Sequence, residues 1–580
     1  MVNADSPIVG ASAPRKITAA LIGLGSLAAF FFAAATGWMT PRYSSFLEGA
    51  ARAAFLIVAL AVGYLALRIL MHLKPAQAQR ERILQPDIDW LAQLQQDITS
   101  TSFGYGTGAL IAFIELITSP AQYRSRVAET IDLEGRNINK RVSVEFVLPK
   151  NILDSESFYL PVLQPVKGDL VDNFRIIDGS GGSMTNLSYL ETIELAAIGL
   201  RTLLIVATGI PYEKWTTTRA AELVLLELIA RRGLSTTKSI KMSTRQGLRL
   251  LEGKGGKEAK DLIRTYLSSI SAGYPIVAVV PKSLVVMNRV LVRYEQTIIP
   301  SSHGDGWGGK LRTGLGVRPS QVTIPVDLAQ TAGSYHLRIN GPPEKYVVEQ
   351  VLRCADCRKL LRRAGRDNVA ACDHANGVEN PDDSHFRVRG RFGQNFTHLY
   401  MRGYANRRYR NIRFEMLVRF NETPPGSRAS ATVTAIAALI FIWVIGHLTA
   451  DHESVTNSDL PAILLALPAI AASWFGLAAG TDALVGSSLH ARLSLIISGI
   501  LSIASVIIYL LQSASAIAAS TQAHPRHVTL AGVTSTPWVV LMIIAFLGFL
   551  YILWHLLARV RNYMSLIRRT DPLSQDHLVL

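Results

Sequence analysis

The chain has 580 residues, 49% hydrophobic and 18% charged, with a formal net charge of +16 at pH 7 and three cysteines. That length holds a membrane part and at least one soluble domain, and three cysteines exclude a disulfide-framed fold. The positive excess fits the cytoplasmic bias of Lys and Arg in membrane proteins and an attraction to anionic headgroups; nucleic acid is disfavoured, because no compact recognition motif accompanies the charge.

Residues 1–16 are polar and end in Arg15 and Lys16. Residues 17–39 are free of charge and longer than the apolar part of a signal peptide, so they read as an uncleaved anchor. Gly25, Ala29, Ala33 and Gly37 recur every four residues, the spacing of a groove another helix can approach. A second apolar run covers 53–73, with Arg68 placed to snorkel to the headgroups. Together they predict a transmembrane hairpin.

Residues 74–428 contain no apolar run long enough to span. Residues 87–99 and 110–117 read as helices packed near the membrane, the second, with Glu115, as core or interfacial and not spanning. Strands are predicted at 142–148, 159–163 and 174–177, the last ended by Asp178-Gly179. Ser188 and Glu191 have capping-box spacing and open a helix to about Val206. Thr217 or Thr218 opens another through Arg231, residues 235–260 read as an exposed basic connection, and 258–271 as a helix. Strands follow at 276–280, 284–294, 322–326, 334–340 and 345–352. Further on, Phe386, Val388 and Phe392 alternate with arginines, and Ile412, Phe414, Met416, Val418 and Phe420 fall on one face. Strands, helices, then strands again predict an α+β domain, β-rich and sandwich-like, with a helical insertion. Pro424-Pro425-Gly426 ends it and joins it to the next membrane helix.

Residues 429–559 hold four apolar runs, 431–450, 460–480, 493–511 and 538–558, each close to the ~20 residues that cross a ~30 Å hydrocarbon layer. None carries Asp, Glu, Lys or Arg inside it. The expected fold class is therefore an α-helical multi-pass membrane protein, six transmembrane helices arranged 2+4, with a large inserted α+β domain. Arg15 and Lys16, then Lys74, Arg80 and Arg82, then Arg413, Arg419 and Arg428, and finally Arg559, Arg561, Arg568 and Arg569 lie on one side of these spans. By the positive-inside rule both termini, the tail 560–580 and the central domain are cytoplasmic.

Cys354-Ala-Asp-Cys357 followed by Cys372-Asp-His374 has the ligand types of a small structural zinc loop over 354–374. Three thiolates and one imidazole fill a tetrahedron, so such a metal is structural, not catalytic; the competing reading is an unliganded loop with free thiols. Gly304 to Lys310 matches P-loop spacing, but Leu311 replaces the Mg²⁺-holding hydroxyl and no helix can follow. Arg353, Arg358, Lys359, Arg362, Arg363 and Arg366, with Lys238, Lys241, Arg245 and Arg249, form basic clusters suited to anionic lipid. Pro468 frees a carbonyl inside one run, and Ser498, Ser502 and Ser505 put hydroxyls on the next, either for helix packing or for a narrow polar path. No spacing identifies a catalytic dyad or triad, and no cofactor-binding residues are assigned. Three function classes fit: a non-enzymatic membrane protein whose cytoplasmic domain binds a partner or ligand and biases the packing of the helices, as a sensor, scaffold or effector; an oligomeric pore; or a membrane-tethered enzyme with a site in 74–428. The expected partners are the lipid bilayer with its anionic headgroups, a second copy of the chain, and an unidentified protein or ligand.

Overall fold

The computed structural model describes residues 88–101, 106–133, 137–148, 155–167, 171–231, 237–252, 256–298, 321–355, 385–389, 393–402, 413–451, 460–478, 488–518, 533, 536–568 and 577–578. The expected hairpin at 17–39 and 53–73 lies outside them.

The described residues begin with α1 (Ile88–Thr101), α2 (Thr107–Thr118) and the single turn α3 (Pro120–Tyr123). Strands β1 (Arg124–Asp132), β2 (Ile138–Val147), β3 (Ser157–Leu163) and β4 (Asp172–Asp178) come next. Four helices follow: α4 (Tyr189–Thr208), α5 (Thr217–Ala230), α6 (Thr237–Arg249) and α7 (Lys257–Ala272). Then come β5 (Ile276–Pro281), β6 (Arg289–Ile298), β7 (Gln321–Pro325), β8 (Ser334–Asn340) and β9 (Lys345–Cys354). After β10 (His385–Arg389), β11 (Phe396–Arg402) and β12 (Phe414–Glu422), the apolar helices are α8 (Gly426–Asp451), α9 (Leu460–Ala478), α10 (Leu489–Ala518) and α11 (Thr536–Ile567), with β13 (His577–Leu578) last.

Eight strands form one sheet in the order β13-β10-β11-β8-β1-β2-β6-β4, antiparallel except where β1 and β8 run together. A three-stranded ladder β7-β12-β9 and a two-stranded ladder β3-β5 complete the β structure. Val127, Val144, Phe146 and Leu337 of the large sheet share one buried cluster with Ile324, Met416, Val418 and Phe420 of the three-stranded ladder. Phe158, Leu160 and Val280 of the two-stranded ladder join the same cluster. The apolar faces close on each other, as in a sandwich.

The helices α1, α2 and α4–α7 make a second core around Phe113, Leu200, Leu225 and Tyr266. The Ser188–Glu191 capping box is formed in both directions: Ser188 N–H donates to Glu191 Oε2 at 2.7 Å, and Glu191 N–H donates to Ser188 Oγ at 3.3 Å. Helices α1 and α2 bury their apolar faces here, and Phe113 is fully enclosed, so the 110–117 run is part of the core.

Two sequence expectations are corrected, and two strands were not expected. The exposed connection at 235–260 contains α6, whose Ile240, Thr244 and Leu248 repeat every four residues and are buried. The sequence hid this because only two of the three are strongly apolar. The single strand at 284–294 is broken by a two-residue turn, with Met287 and Asn288 both at positive φ and Val286 paired to Arg289 on either side. The central strand β1 and strand β11 had no predicted counterpart. Along β1 the inward residues are Val127, Glu129 and Ile131, so an acid interrupts the apolar alternation. Along β11 the rings of Phe396, His398 and Tyr400 alternate with buried Thr397, Leu399 and Met401, so neither set reads as polar.

The acid in β1 has partners. Glu129, 1% exposed, forms an ion pair with Lys140 Nζ at 2.7 Å and accepts from Tyr335 Oη at 2.7 Å. Burial alone would lower the Lys140 ammonium, but the Glu129 carboxylate holds it above its usual value. Burial, then Glu129, pushes the Tyr335 phenol well up.

Three described helices are long and apolar enough to cross a membrane: Gly426–Thr449 within α8, Leu489–Leu510 within α10 and Pro537–Ile567 within α11. The apolar part of α9, Pro461–Phe475, is shorter. These helices outrun the expected apolar runs at their polar ends: α8 starts at Gly426, straight after the proline pair, and α11 continues nine residues beyond Ala558. Along α8, Ala431, Ala435, Ala438, Ile442 and Ile445 are buried at alternating spacings of four and three, the seam of a left-handed bundle. Along α10, Ser494, Ser498, Ser502 and Ser505 are buried while Ile496, Ile497, Ile503 and Leu510 are exposed. Hydroxyls inside and apolar side chains outside is the arrangement of helices surrounded by hydrocarbon.

Candidate functional site

The chain passes from the sheet domain into the helix block between β12 and α8. Strand β12 ends at Glu422, and α8 begins four residues later. Gly426 between them has φ +52, and a Cβ there would lie 3.0 Å from Glu422 Oε2, so the sharp entry into α8 needs glycine. Glu422 Oε2 accepts from Ser427 N–H at 3.1 Å and from Ser427 Oγ at 2.5 Å. A carboxylate on the first turn of a helix also faces the positive end of its dipole. The last residue of the sheet thus caps the first turn of α8.

The next residue ties α8 to two other helices. Arg428 Nε donates to Ser488 Oγ at 3.0 Å, just before α10, and Arg428 Nη1 donates to the His555 carbonyl of α11 at 2.6 Å. His555 packs on His490 of α10 with ring centroids 4.3 Å apart and on Tyr551 at 4.6 Å. The polar end of α11 touches the sandwich: the Tyr563 ring packs tilted at 4.8 Å on Tyr346 of β9, and a Cβ on Gly393 would sit 3.6 Å from Ile567. A shift of β12 would therefore load Ser427 and Arg428 directly, and through Arg428 the ends of α10 and α11.

Within the block, Ser502 Oγ donates to the Leu465 carbonyl of α9, one turn before Pro468. Ser505 donates to Leu501 of its own helix at 2.7 Å. Beside Ser494 and Ser498 lies a cavity of about 30 Å³, room for one water. The hydroxyls of Ser502 and Ser505 are thus taken up by backbone carbonyls, one of them across the α9–α10 contact.

Of the expected metal ligands, Cys354 ends β9 and is fully buried in the sandwich core, opposite Phe414. Cys357, Cys372 and His374 lie outside the described residues. Among the described residues no three His, Cys, Asp or Glu side chains converge as a metal site. Of the first basic cluster only Arg353 is described, paired with Glu415 at 2.9 Å. Lys238, Lys241, Arg245 and Arg249 are exposed on the outward side of α6. The glycine-rich 304–310 segment lies outside the described residues.

Sequence reading treated Arg428 only as a topology charge and did not single out Glu422 or Ser427. The available signal was an arginine two residues after Pro-Pro-Gly at the mouth of an apolar run; its partners are 60 and 127 residues away, which no local pattern reveals. Compared with known protein families and with curated proteins, the chain matches none.

Proposed function

We propose that this is a multi-pass membrane protein whose cytoplasmic sheet domain binds a partner or ligand and sets the packing of the membrane helices through the Glu422–Ser427–Arg428 joint. The observation that carries this reading is the position of Arg428, bonded to both α10 and α11 one residue after the side chain capped by the sheet. Six spans, the first two at 17–39 and 53–73, with both termini inside, complete the topology; the Lys and Arg distribution supports that orientation.

Glu422→Ala tests the coupling in the full-length chain held in lipid nanodiscs. Hydrogen exchange is expected to rise at 426–430 and also at 488–492 and 551–556, the segments reached through Arg428. A rise confined to 422–430 would mean that the joint is only a helix cap. Reporters fused after Leu73 and near Val455 test orientation, with the first expected inside and the second outside.

A further inference from the structure

The outer face of the eight-stranded sheet has a composition that its pairing register creates and the linear sequence conceals. Reading across five strands, Tyr400 lies beside His336, then Ala128, Ser143 and Arg293. One step along, His398 lies beside Arg338, then Thr130 and Arg141. His336 packs 4.7 Å from Tyr400 and 5.7 Å from His398, and the Arg338 guanidinium lies 5.2 Å over the Phe396 ring. Rings at alternate positions of β11 stand about 7 Å apart, forming a strip. Beside it stand the short side chains of Ala128, Thr130 and Ser143.

The charge is unbalanced. Arg126, Arg175, Arg293 and Arg402 are exposed on this face, and none of the four makes an ion pair among the described residues. The acids there are fewer: Asp132, paired with Arg141 at 2.6 Å, Glu145, paired with Arg289 at 3.0 Å, and Glu295, in register between Arg141 and Arg175. Burial, then Arg126 and His398, push the His336 imidazole below its usual value, so near neutral pH it presents an uncharged flat ring.

We infer that this face binds single-stranded nucleic acid, with bases stacked on the Tyr400–His336–His398 strip and phosphates held by Arg126, Arg293 and Arg402. Charge complementarity selects a polyanion, and the stackable rings select one with flat bases. Position disfavours lipid headgroups. Gly393, at the start of this strip, lies against Ile567, nine helical residues or about 13 Å beyond the apolar run of α11. From there β11 runs on about 20 Å to Arg402. The row nearest the helices carries Asp132, Asn139 and Asn340, not arginines. A Debye length of about 8 Å at physiological salt already weakens headgroup charge at the start of the strip. The absence of a compact motif in the sequence is no obstacle, because the platform is assembled from separate strands. The inference rests on the cytoplasmic placement proposed above.

The test uses the full-length chain in phosphatidylcholine nanodiscs and the fluorescence anisotropy of a fluorescein-labelled 12-nucleotide mixed-sequence RNA. Binding is expected, tighter than to a duplex of equal length. Tyr400→Ala should weaken it about tenfold and Tyr400→Phe less than twofold, which separates loss of stacking from loss of folding. Reversing Arg293 and Arg402 to Glu should lower the slope of log affinity on log salt by about 1.4. No binding at 50 mM salt, equal binding of duplex, or an unaltered affinity in Tyr400→Ala would overturn the inference. So would binding abolished by phosphatidylserine in the nanodisc, which would assign the face to headgroups. The joint experiment adds no ligand, so this face can fail while the coupling stands, and the reverse.

Discussion

Arg428 donates to the backbone carbonyl of His555 across 2.6 Å, joining the first turn of α8 to the polar end of α11. The carbonyl comes from the main chain, so no side-chain change at position 555 removes it; only the arginine can be tested directly. Arg428→Ala should destabilise the helix block by about 2 kcal/mol, the usual size for hydrogen bonds made by a charged group. Arg428→Lys should recover less than half, since one ammonium cannot reach Ser488 and His555 with a fork's geometry. The thermal midpoint of the purified chain in detergent checks both.

The helical layer contains a second pair whose removal should be more severe. Arg201, 7% exposed, donates through Nε to Glu222 Oε1 at 2.7 Å, and Glu222 is fully buried. Gln95 completes the group, donating to Glu222 Oε2 at 2.5 Å and accepting from Arg201 through its main-chain oxygen at 2.7 Å. The Tyr212 ring covers the guanidinium at 4.1 Å. Glu222→Ala should cost about 3–5 kcal/mol because it leaves the guanidinium buried and unpaired. Replacing both, Arg201→Met with Glu222→Leu, should restore most of that loss. A double-substitution cycle on thermal stability reads the coupling.

The start of α5 has an acid-sensitive cap. Glu252, from the segment after α6, accepts from the N–H groups of Thr216, Thr217 and Thr218 and from the Thr216 and Thr217 hydroxyls. The Thr216 hydroxyl is the largest influence holding its carboxyl down to about 2, from an ordinary 4.5. A carboxyl lowered on folding stabilises fully above its unfolded value and loses that contribution as pH falls from there through the folded value. The melting difference between the native chain and Glu252→Gln should be complete at pH 6 and vanish near pH 2. A pH-independent difference would show that charge plays no part in the cap.

Ser502 separates packing from conduction. If its hydroxyl only joins α10 to the Leu465 carbonyl, Ser502→Ala should destabilise by about 0.6 kcal/mol, the average for such membrane bonds, and liposomes carrying either protein should hold a small dye equally well. Leakage from vesicles with the native chain, altered by this substitution, would favour the pore reading instead.

Elements with strong local signals were legible in advance. The apolar runs around α8–α11, the capped start of α4 and the alternating residues of β12 all announce themselves within about twenty residues. The α6 helix did not, because its buried stripe includes Thr244. Nor did β1, whose inward Glu129 is made tolerable by Lys140 and Tyr335 from two other strands.

The amino-acid sequence alone determined which stretches are too apolar for water and where positive charge gathers, because both depend on composition over short windows. Only the tertiary structure decided that Arg428 meets α10 and α11, and that Tyr400, His336 and Arg293 share one row across five strands. Those contacts join residues up to 208 positions apart, and the side chains involved carry no mark of their partners until the helices pack and the strands take their register.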